Sequence, residues 1–375
     1  MPASTPPETP LENPGHCDDL PIRFPGGIQP HGMMFILDHD LNIVGISDNA
    51  LQHLGRDAED LLSTPVSDLF SPAARGSVIK SIRLADSGSV NPFPVPMEVT
   101  GGILLFDGIA HTTRDGRIIL ELEPNPGSGD LPDVGLDHHL AVISRSISLT
   151  SNIAEISSFS EVMAREMKAV TGYDRVMVYQ FCDDFHGHVI AEAMEEGMPP
   201  FLGLHYPASD IPAQARELYL TNLMRMACDV DATPIPLICS SGPENAAAVD
   251  MSRSVLRCLS PIHLDYLRNM GVRATFSVSL VVDEKLWGLI LFHHRSPRFI
   301  PYSTRATASL YGTVMATLME AKRNSSRKDR ISAARGQALP LLTGIHDIAG
   351  SDGDLFTMLP KLMAFFSASG AIFIS

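Results

Sequence analysis

Two runs decide how this chain reads: Phe201-Leu-Gly-Leu-His-Tyr-Pro-Ala-Ser-Asp-Ile-Pro-Ala-Gln-Ala-Arg-Glu-Leu-Tyr219 and Leu256-Arg-Cys-Leu-Ser-Pro-Ile-His-Leu-Asp-Tyr-Leu-Arg-Asn-Met-Gly-Val272. With the stretch that follows the first, they set Asp210, Arg225, Arg257 and His263 among residues otherwise rich in Tyr, Phe, Leu and Met. An apolar pocket with a few converging polar groups is the usual form of a small-molecule site. Two arginines in such a pocket suit carboxylates, because a guanidinium holds them in a bidentate fork. Asp210 precedes Ile211-Pro212. A proline restricts its neighbour and removes a donor, so a main-chain carbonyl here can face a ligand.

Working outward, short alternating apolar runs lie on the N-terminal side: Met33 to Leu37, Ile43 to Ile46, Ile103 to Phe106 and Ile118 to Leu122, with helical patterns at Asn49 to Leu54 and Ala74 to Leu84. This is an α+β domain on an antiparallel sheet. The stretch PNPGSGDLPD (124–133) reads as a linker. One long helix is expected from about Leu136 to Val170, since Leu140, Ile143, Ile147, Ile153, Ile156, Phe159 and Met163 recur mostly three or four apart. A second α+β domain opens at Arg175 with a strand, continues through HVIAEA, and ends on Thr275 to Val282 and Leu286 to His293, joined as a hairpin over Asp283 to Lys285. A helix over about Thr304 to Arg323 is expected to end in the basic patch Lys322 to Arg330, whose cations suit a helix C-terminus. Helix Leu355 to Ser367 and the apolar strand AIFIS begin a third unit. A lone strand is not stable, so the chain reads as the front portion of a longer protein.

With 375 residues there is room for two or three domains, and 45% apolar against 19% charged residues excludes a disordered chain. Forty-three acidic residues against 28 Lys plus Arg give a formal charge of -15, which argues against nucleic-acid partners. No apolar run approaches the ~20 residues that span a bilayer. The first residues carry neither a basic cluster nor an apolar block, so no signal peptide is read and a cytoplasmic location is expected. Five cysteines, odd in number and widely spaced, fit neither a disulfide framework nor a C-x-x-C zinc site.

These runs, together with Cys17-Asp-Asp-Leu-Pro-Ile-Arg-Phe-Pro-Gly-Gly-Ile-Gln-Pro-His-Gly32, closely resemble the phytochrome family, in particular the bacterial phytochromes that bind biliverdin. The resemblance covers nearly everything after an N-terminal arm (1–19). It implies a PAS domain (20–125), a linker (126–137), a GAF domain (138–325), and a connecting helix into a partial PHY domain (326–375). Each of the first two is an antiparallel sheet with flanking helices, and the N-terminal segment is knotted through a GAF loop, with Ile28 at the crossing.

The implied cofactor is biliverdin IXα. Cys17 matches the cysteine that forms a thioether with its A-ring vinyl group. Ile262 stands where other phytochromes carry an attachment cysteine, which directs the linkage to Cys17. By the same resemblance the main chain at Asp210, in the run through Ile211 and Pro212, accepts from the pyrrole N–H groups, with His263 sharing a water. Arg225 and Arg257 hold the B-ring propionate with help from Tyr219, and Thr275 and Ser277 bond the C-ring propionate. His293 lies near the D-ring carbonyl, while Tyr179, Tyr206, Tyr266, Met177 and Phe201 wall the D ring.

The activity implied is red/far-red light sensing by isomerisation of the C–D methine bridge. The output module is usually a histidine kinase acting on a response regulator, and no kinase is read in this chain. The helical segments 136–170 and 304–330 suit a homodimer surface and equally an internal core. Cys182, Cys228, Cys239 and Cys258 read as small buried apolar residues. Arg23 and Arg295 depart from residues common in the family and are candidates for tuning the photostates. The loop Cys239 to Asp250 reads as a hydrophilic insert. His346 sits in G-I-H-D-I, without the glycine-rich boxes of a kinase. A hydrolase finds no G-x-S-x-G elbow, and a GAF-type sensor of a cyclic nucleotide or haem is the alternative.

Overall fold

Met33–Leu37 is apolar at every position, and the reason lies in what covers its two faces. Side chains of a strand alternate between faces. Met33, Phe35 and Leu37 join one core and Met34 and Ile36 another, all fully buried. The computed structural model describes residues 21–85, 91–99, 102–125, 136–349 and 359–365. Cys17, most of the expected linker and the AIFIS run lie outside them. The chain divides into two compact units, residues 1–316 and 317–375, and both sheets belong to the first.

The N-terminal part contains β1 (Gly27–Ile28), β2 (Met33–Leu37), β3 (Ile43–Ser47), α1 (Ala50–Leu54), α2 (Ala58–Leu61), α3 (Arg75–Arg83), β4 (Phe93–Val99), β5 (Gly102–Thr112) and β6 (Ile118–Pro124). Then come α4 (Leu136–Thr150), α5 (Ile156–Thr171), β7 (Arg175–Phe181), β8 (Gly187–Met194), β9 (His205–Tyr206), α6 (Ala213–Thr221), β10 (Met224–Ala227), β11 (Ile235–Cys239), α7 (Pro243–Ala247), α8 (Pro261–Asn269), β12 (Ala274–Val282), β13 (Lys285–His294) and α9 (Tyr302–Ala349). In the second unit α9 runs on and α10 (Leu359–Phe365) comes after it. Among the described residues no helix is long and apolar enough to cross a membrane.

The strands form two antiparallel sheets, as expected, in the orders β1-β11-β3-β2-β6-β5-β4 and β10-β12-β13-β7-β8-β9. Strand β4 escapes a sequence reading because Pro94 and Pro96 disguise it. It lies at the sheet edge, where missing N–H donors are tolerated. Strand β11 is likewise not evident in the sequence, and it joins the first sheet between β1 and β3 although it lies far along the chain from both. Ile28 is thereby bridged to Ile235 on one side and Arg257 on the other. The expected hydrophilic loop after Cys239 holds helix α7 and buries Ala246 and Val249 against Met34, Ile36 and Ile119.

Two helix expectations are corrected. The segment 136–170 is two helices, broken at Ser151–Glu155. Thr150 donates its hydroxyl to the Ser146 carbonyl at 2.8 Å and Ser151 donates to Ser148 at 2.8 Å. Such side-chain bonds compete with the helical ladder, and the continued apolar spacing hides the break. Helix α9 does not stop at Arg323 but continues to Ala349, so Lys322 to Arg330 lies within it and cannot complement a C-terminal dipole.

The hairpin β12–β13 is as expected. Asp283 and Glu284 both take positive φ (51° and 60°), the geometry of a two-residue turn matched to strand twist. One face of these central strands presents Phe276, Val278, Ile290 and Phe292, all fully buried. Gly312 of α9 packs there so closely that a Cβ would press on Val278. The opposite face carries Thr275, Ser277, Leu291 and His293.

Candidate functional site

Register places the polar groups of that opposite face. Arg225 of β10 is the Cα partner of Ser277, Ser277 of Leu291, and Leu291 of Met177. One row further along, Thr275 pairs with His293. Period-two alternation therefore turns Ser277 and Thr275, Leu291 and His293, and Met177 and Tyr179 to the same side. Helices α6 and α8 and the turn Ala208–Asp210 roof this surface. The result is one open cleft of about 1300 Å³, counting the part continuous with solvent.

All the residues expected from the sequence border this cleft, apart from Cys17 and Ile28: Asp210, Ile211, Pro212, Tyr219, Arg225, Arg257, His263, Tyr266, Thr275, Ser277 and His293, with Met177, Tyr179, Phe201 and Tyr206 at one end. Cys17 lies outside the described residues, but Ile22, five residues on, is at the cleft edge. Ile28 is buried away from the cleft. Arg23 pairs with exposed Glu217 at 2.7 Å, and Arg295 with Asp174 at 3.2 Å; neither borders the cleft. His346 lies on α9 in the second unit. Ser260, Asn222 and Leu291 also line it and were not read from the sequence. Leu291 was accessible by counting back two from His293. Ser260 was signalled as the residue before Pro261, where it caps α8 by accepting from the His263 N–H at 3.3 Å.

The helix turn sets the aromatic end. His263 and Tyr266 are three apart on α8 and so share a face, their rings 6.1 Å apart and nearly parallel. The Tyr266 hydroxyl donates to Asp210 Oδ2 at 3.3 Å. Burial raises the Tyr266 phenol, and the Asp210 charge pushes it the same way. Tyr179 is flanked by Phe181 at 5.3 Å and Tyr206 at 6.1 Å. Burial lowers His263 to about 4 and His293 to about 3, with Arg225 adding to the first and Arg175 to the second, so both imidazoles are neutral near pH 7. The Nδ1 of His293 is buried without a partner among the described residues.

Arg225 and Arg257 are the electrostatic centre. Arg225 donates to the carbonyls of Ser254 (3.4 Å), Cys258 (2.9 Å) and Arg257, and Arg257 donates to the Ile22 carbonyl at 2.6 Å. Neither pairs with a carboxylate among the described residues. Burial lowers Arg225 to about 10 and drives Arg257 well down, with the mutual repulsion of the two cations adding to the latter. The Nε of Arg257 is buried and has no partner among the described residues. Two buried guanidiniums held side by side, with only the more distant Glu121 acting on Arg225 and no direct carboxylate pair among the described residues, favour an anionic ligand. Cys258 is buried and its thiol raised to about 11 by desolvation, which keeps it protonated and unreactive.

Glu121 and Glu123 of β6 fix this region to the first sheet. Glu121 accepts the backbone N–H groups of Val255 at 3.1 Å and Leu256 at 2.7 Å, next to Arg257. Burial raises its carboxyl to about 8. Glu123 pairs with buried Arg305 at the start of α9 and with His31 at 3.3 Å. Neither glutamate stands out in the sequence, where ELE looks like an ordinary exposed alternation.

Comparison with known proteins gives this geometry a context. Residues 17–125 match the family model described as PAS fold, and residues 155–320 that described as GAF domain. The photosensory core module of the Stigmatella aurantiaca phytochrome superposes with a TM-score of 0.85 at 36% identity, covering 95% of this chain and 70% of that one. The chain belongs to the phytochrome family. Among phytochromes it is 35% identical to cyanobacterial phytochrome B of Nostoc sp. over 95% of its length and 47% of that protein's. It is 36% identical to the bacteriophytochrome of Pseudomonas aeruginosa over 81% of its length and 40% of that protein's. This phytochrome chain thus spans a little under half the length of these curated relatives.

Proposed function

We propose that this chain is the light-sensing part of a red/far-red photoreceptor that carries biliverdin IXα on Cys17. The observation that carries the reading is the pair Arg225 and Arg257: two cations in an apolar cleft, bonded to carbonyls and paired with no carboxylate among the described residues, at one end of a surface whose other end is aromatic. That arrangement fits an open-chain tetrapyrrole, which has propionates at its middle and an apolar terminal ring. The group supplies, when bound, a methine double bond between rings C and D that light isomerises between Z and E.

The chain's own residues divide the remaining work. Arg225 and Arg257 hold the B-ring propionate with help from Tyr219, Thr275 and Ser277 bond the C-ring propionate, and the main chain at Asp210 accepts from the pyrrole N–H groups, with His263 sharing a water. Neutral His293 offers a ring nitrogen to the D-ring carbonyl. Met177, Tyr179, Phe201, Tyr206 and Tyr266 bound the space in which that ring turns. Ile22 lies at the cleft edge, and five residues reach at most about 17 Å, so the Cys17 thiol is leashed to the same region. The clasping of Ile28 by Ile235 and Arg257 supports a threaded N-terminal segment. The exposed apolar side chains Leu140, Ile147 and Leu310 support a homodimer built on these helices. In this reading a histidine kinase and its response regulator receive the signal in the cytoplasm.

Incubation with biliverdin is the test. The wild type should develop a red-absorbing band that survives denaturation and shifts on red illumination. Cys17→Ser should lose the survival of colour under denaturant, whereas Cys258→Ser should keep it. A wild type that forms no coloured adduct, or binds only haem or a cyclic nucleotide, refutes the photoreceptor reading. Covalent colour retained by Cys17→Ser refutes the attachment alone.

A further inference from the structure

Arg175, the first residue of β7, is one of the most deeply buried side chains in the molecule, 2% exposed, yet it lines no part of the cleft. Its Nε lies 2.9 Å from Glu192 Oε1, and both side chains are shut from solvent. Its guanidinium also donates to the Pro199 carbonyl and stacks over the Phe201 ring, with Cζ 3.7 Å from the ring centroid. Glu192 accepts the backbone N–H of Phe201 at 2.9 Å and of Leu202 at 3.0 Å. One ion pair therefore grips three residues of the stretch Pro199 to Leu202, through the Pro199 carbonyl, the Phe201 ring and the N–H groups of Phe201 and Leu202. Those residues lack a regular ladder of their own, and Phe201 faces the cleft. Arg175 is also the cross-strand partner of His293, so the same cation stands beside the histidine at that end of the cleft.

We propose that Arg175 and Glu192 form a positioning pair that holds Phe201 and the Pro199–Leu202 backbone as a fixed wall of the cleft, and that this hold sets how slowly the light-generated state returns in the dark. The consequence for dark return rests on the photoreceptor reading; the hold on the wall does not. A buried ion pair contributes little net stability against a well-packed apolar replacement, and its attested value lies in specifying one arrangement. Here the arrangement specified is a ring that stacks on a planar guanidinium. Lysine cannot reproduce that stack or the forked donation, although it keeps the charge.

The test uses Arg175→Met, Arg175→Lys and Glu192→Gln in two assays. In the apoprotein, brief chymotrypsin treatment under native conditions should cut at Phe201 at least about tenfold faster in Arg175→Met and Glu192→Gln, with Arg175→Lys between them and the wild type. In the biliverdin-loaded protein the same variants should revert in the dark about tenfold faster. The double variant Arg175→Met/Phe201→Ala should revert no faster than Phe201→Ala alone, because both changes remove one device. Cleavage at the wild-type rate in all three variants overturns the proposed hold. Faster cleavage with unchanged reversion, or rates that simply multiply in the double variant, overturns its role in dark return. A wild type that takes up no pigment refutes the photoreceptor reading and with it the claim on dark return, while the cleavage assay still judges the hold.

Discussion

Gly187 opens β8 beside the cleft, and a methyl group there would fall inside the Tyr179 ring, on Cζ and Oη. Its φ is ordinary, so Gly187→Ala adds no backbone strain and isolates the clash. Restoring van der Waals separation requires the phenol to retreat by about 2 Å. The ring cannot do so freely, because Phe181 (5.3 Å) and Tyr206 (6.1 Å) flank it. Forced overpacking of this kind costs about 1–3 kcal/mol, and the displaced ring also moves into the cleft. Urea unfolding of the apoprotein measures the cost as a lower midpoint at unchanged slope. Adding Tyr179→Val should return much of it, since the smaller side chain removes the overlap, and the cycle should show a coupling of about 1 kcal/mol or more. A loss below about 0.5 kcal/mol for Gly187→Ala, or strictly additive effects, would show that Tyr179 does not occupy the space that requires glycine.

Charge and turn geometry give two further outcomes. His293 is lowered to about 3 by burial, so the unfolded chain takes up a proton that the folded chain refuses. Its contribution is complete above pH ~6.5 and is lost as pH falls toward the folded value, by roughly 3 kcal/mol between pH 7 and 4. Glu121, raised to about 8, acts in the opposite sense, with stability lost as pH rises toward 8. The measurement is therefore the difference between wild type and His293→Gln, which should shrink on acidification; a flat or growing difference contradicts the assignment. At the β12–β13 turn Glu284 holds φ 60°, a conformation that costs an L-residue with a Cβ about 1 kcal/mol or more. Glu284→Gly should raise the urea midpoint by that order, and a lowered midpoint would rule out the positive-φ turn.

Much of the cleft was legible because its residues sit in regular local patterns. Thr275 and Ser277 alternate on a strand, His263 and Tyr266 lie one helical turn apart, and Ser260-Pro261 announces the start of that helix. Such spacings are fixed by backbone geometry alone, so the linear order carries them. The break between α4 and α5 was not legible, since apolar spacing ran through it while hydroxyl groups ended the first helix. The extension of α9 was missed for the converse reason, that a basic cluster resembles a terminus.

What the linear chain by itself determined was most of the strands and helices, their apolar faces and the family to which the two runs belong. What only the tertiary structure decided was which distant groups meet. Strand β11 enters the first sheet, Glu121 reaches the amides of Val255 and Leu256, Arg305 finds Glu123, and Arg175 with Glu192 takes hold of Phe201. Local propensity acts over a few residues, whereas a buried charge is satisfied by whichever partner the closed fold brings within about 3 Å.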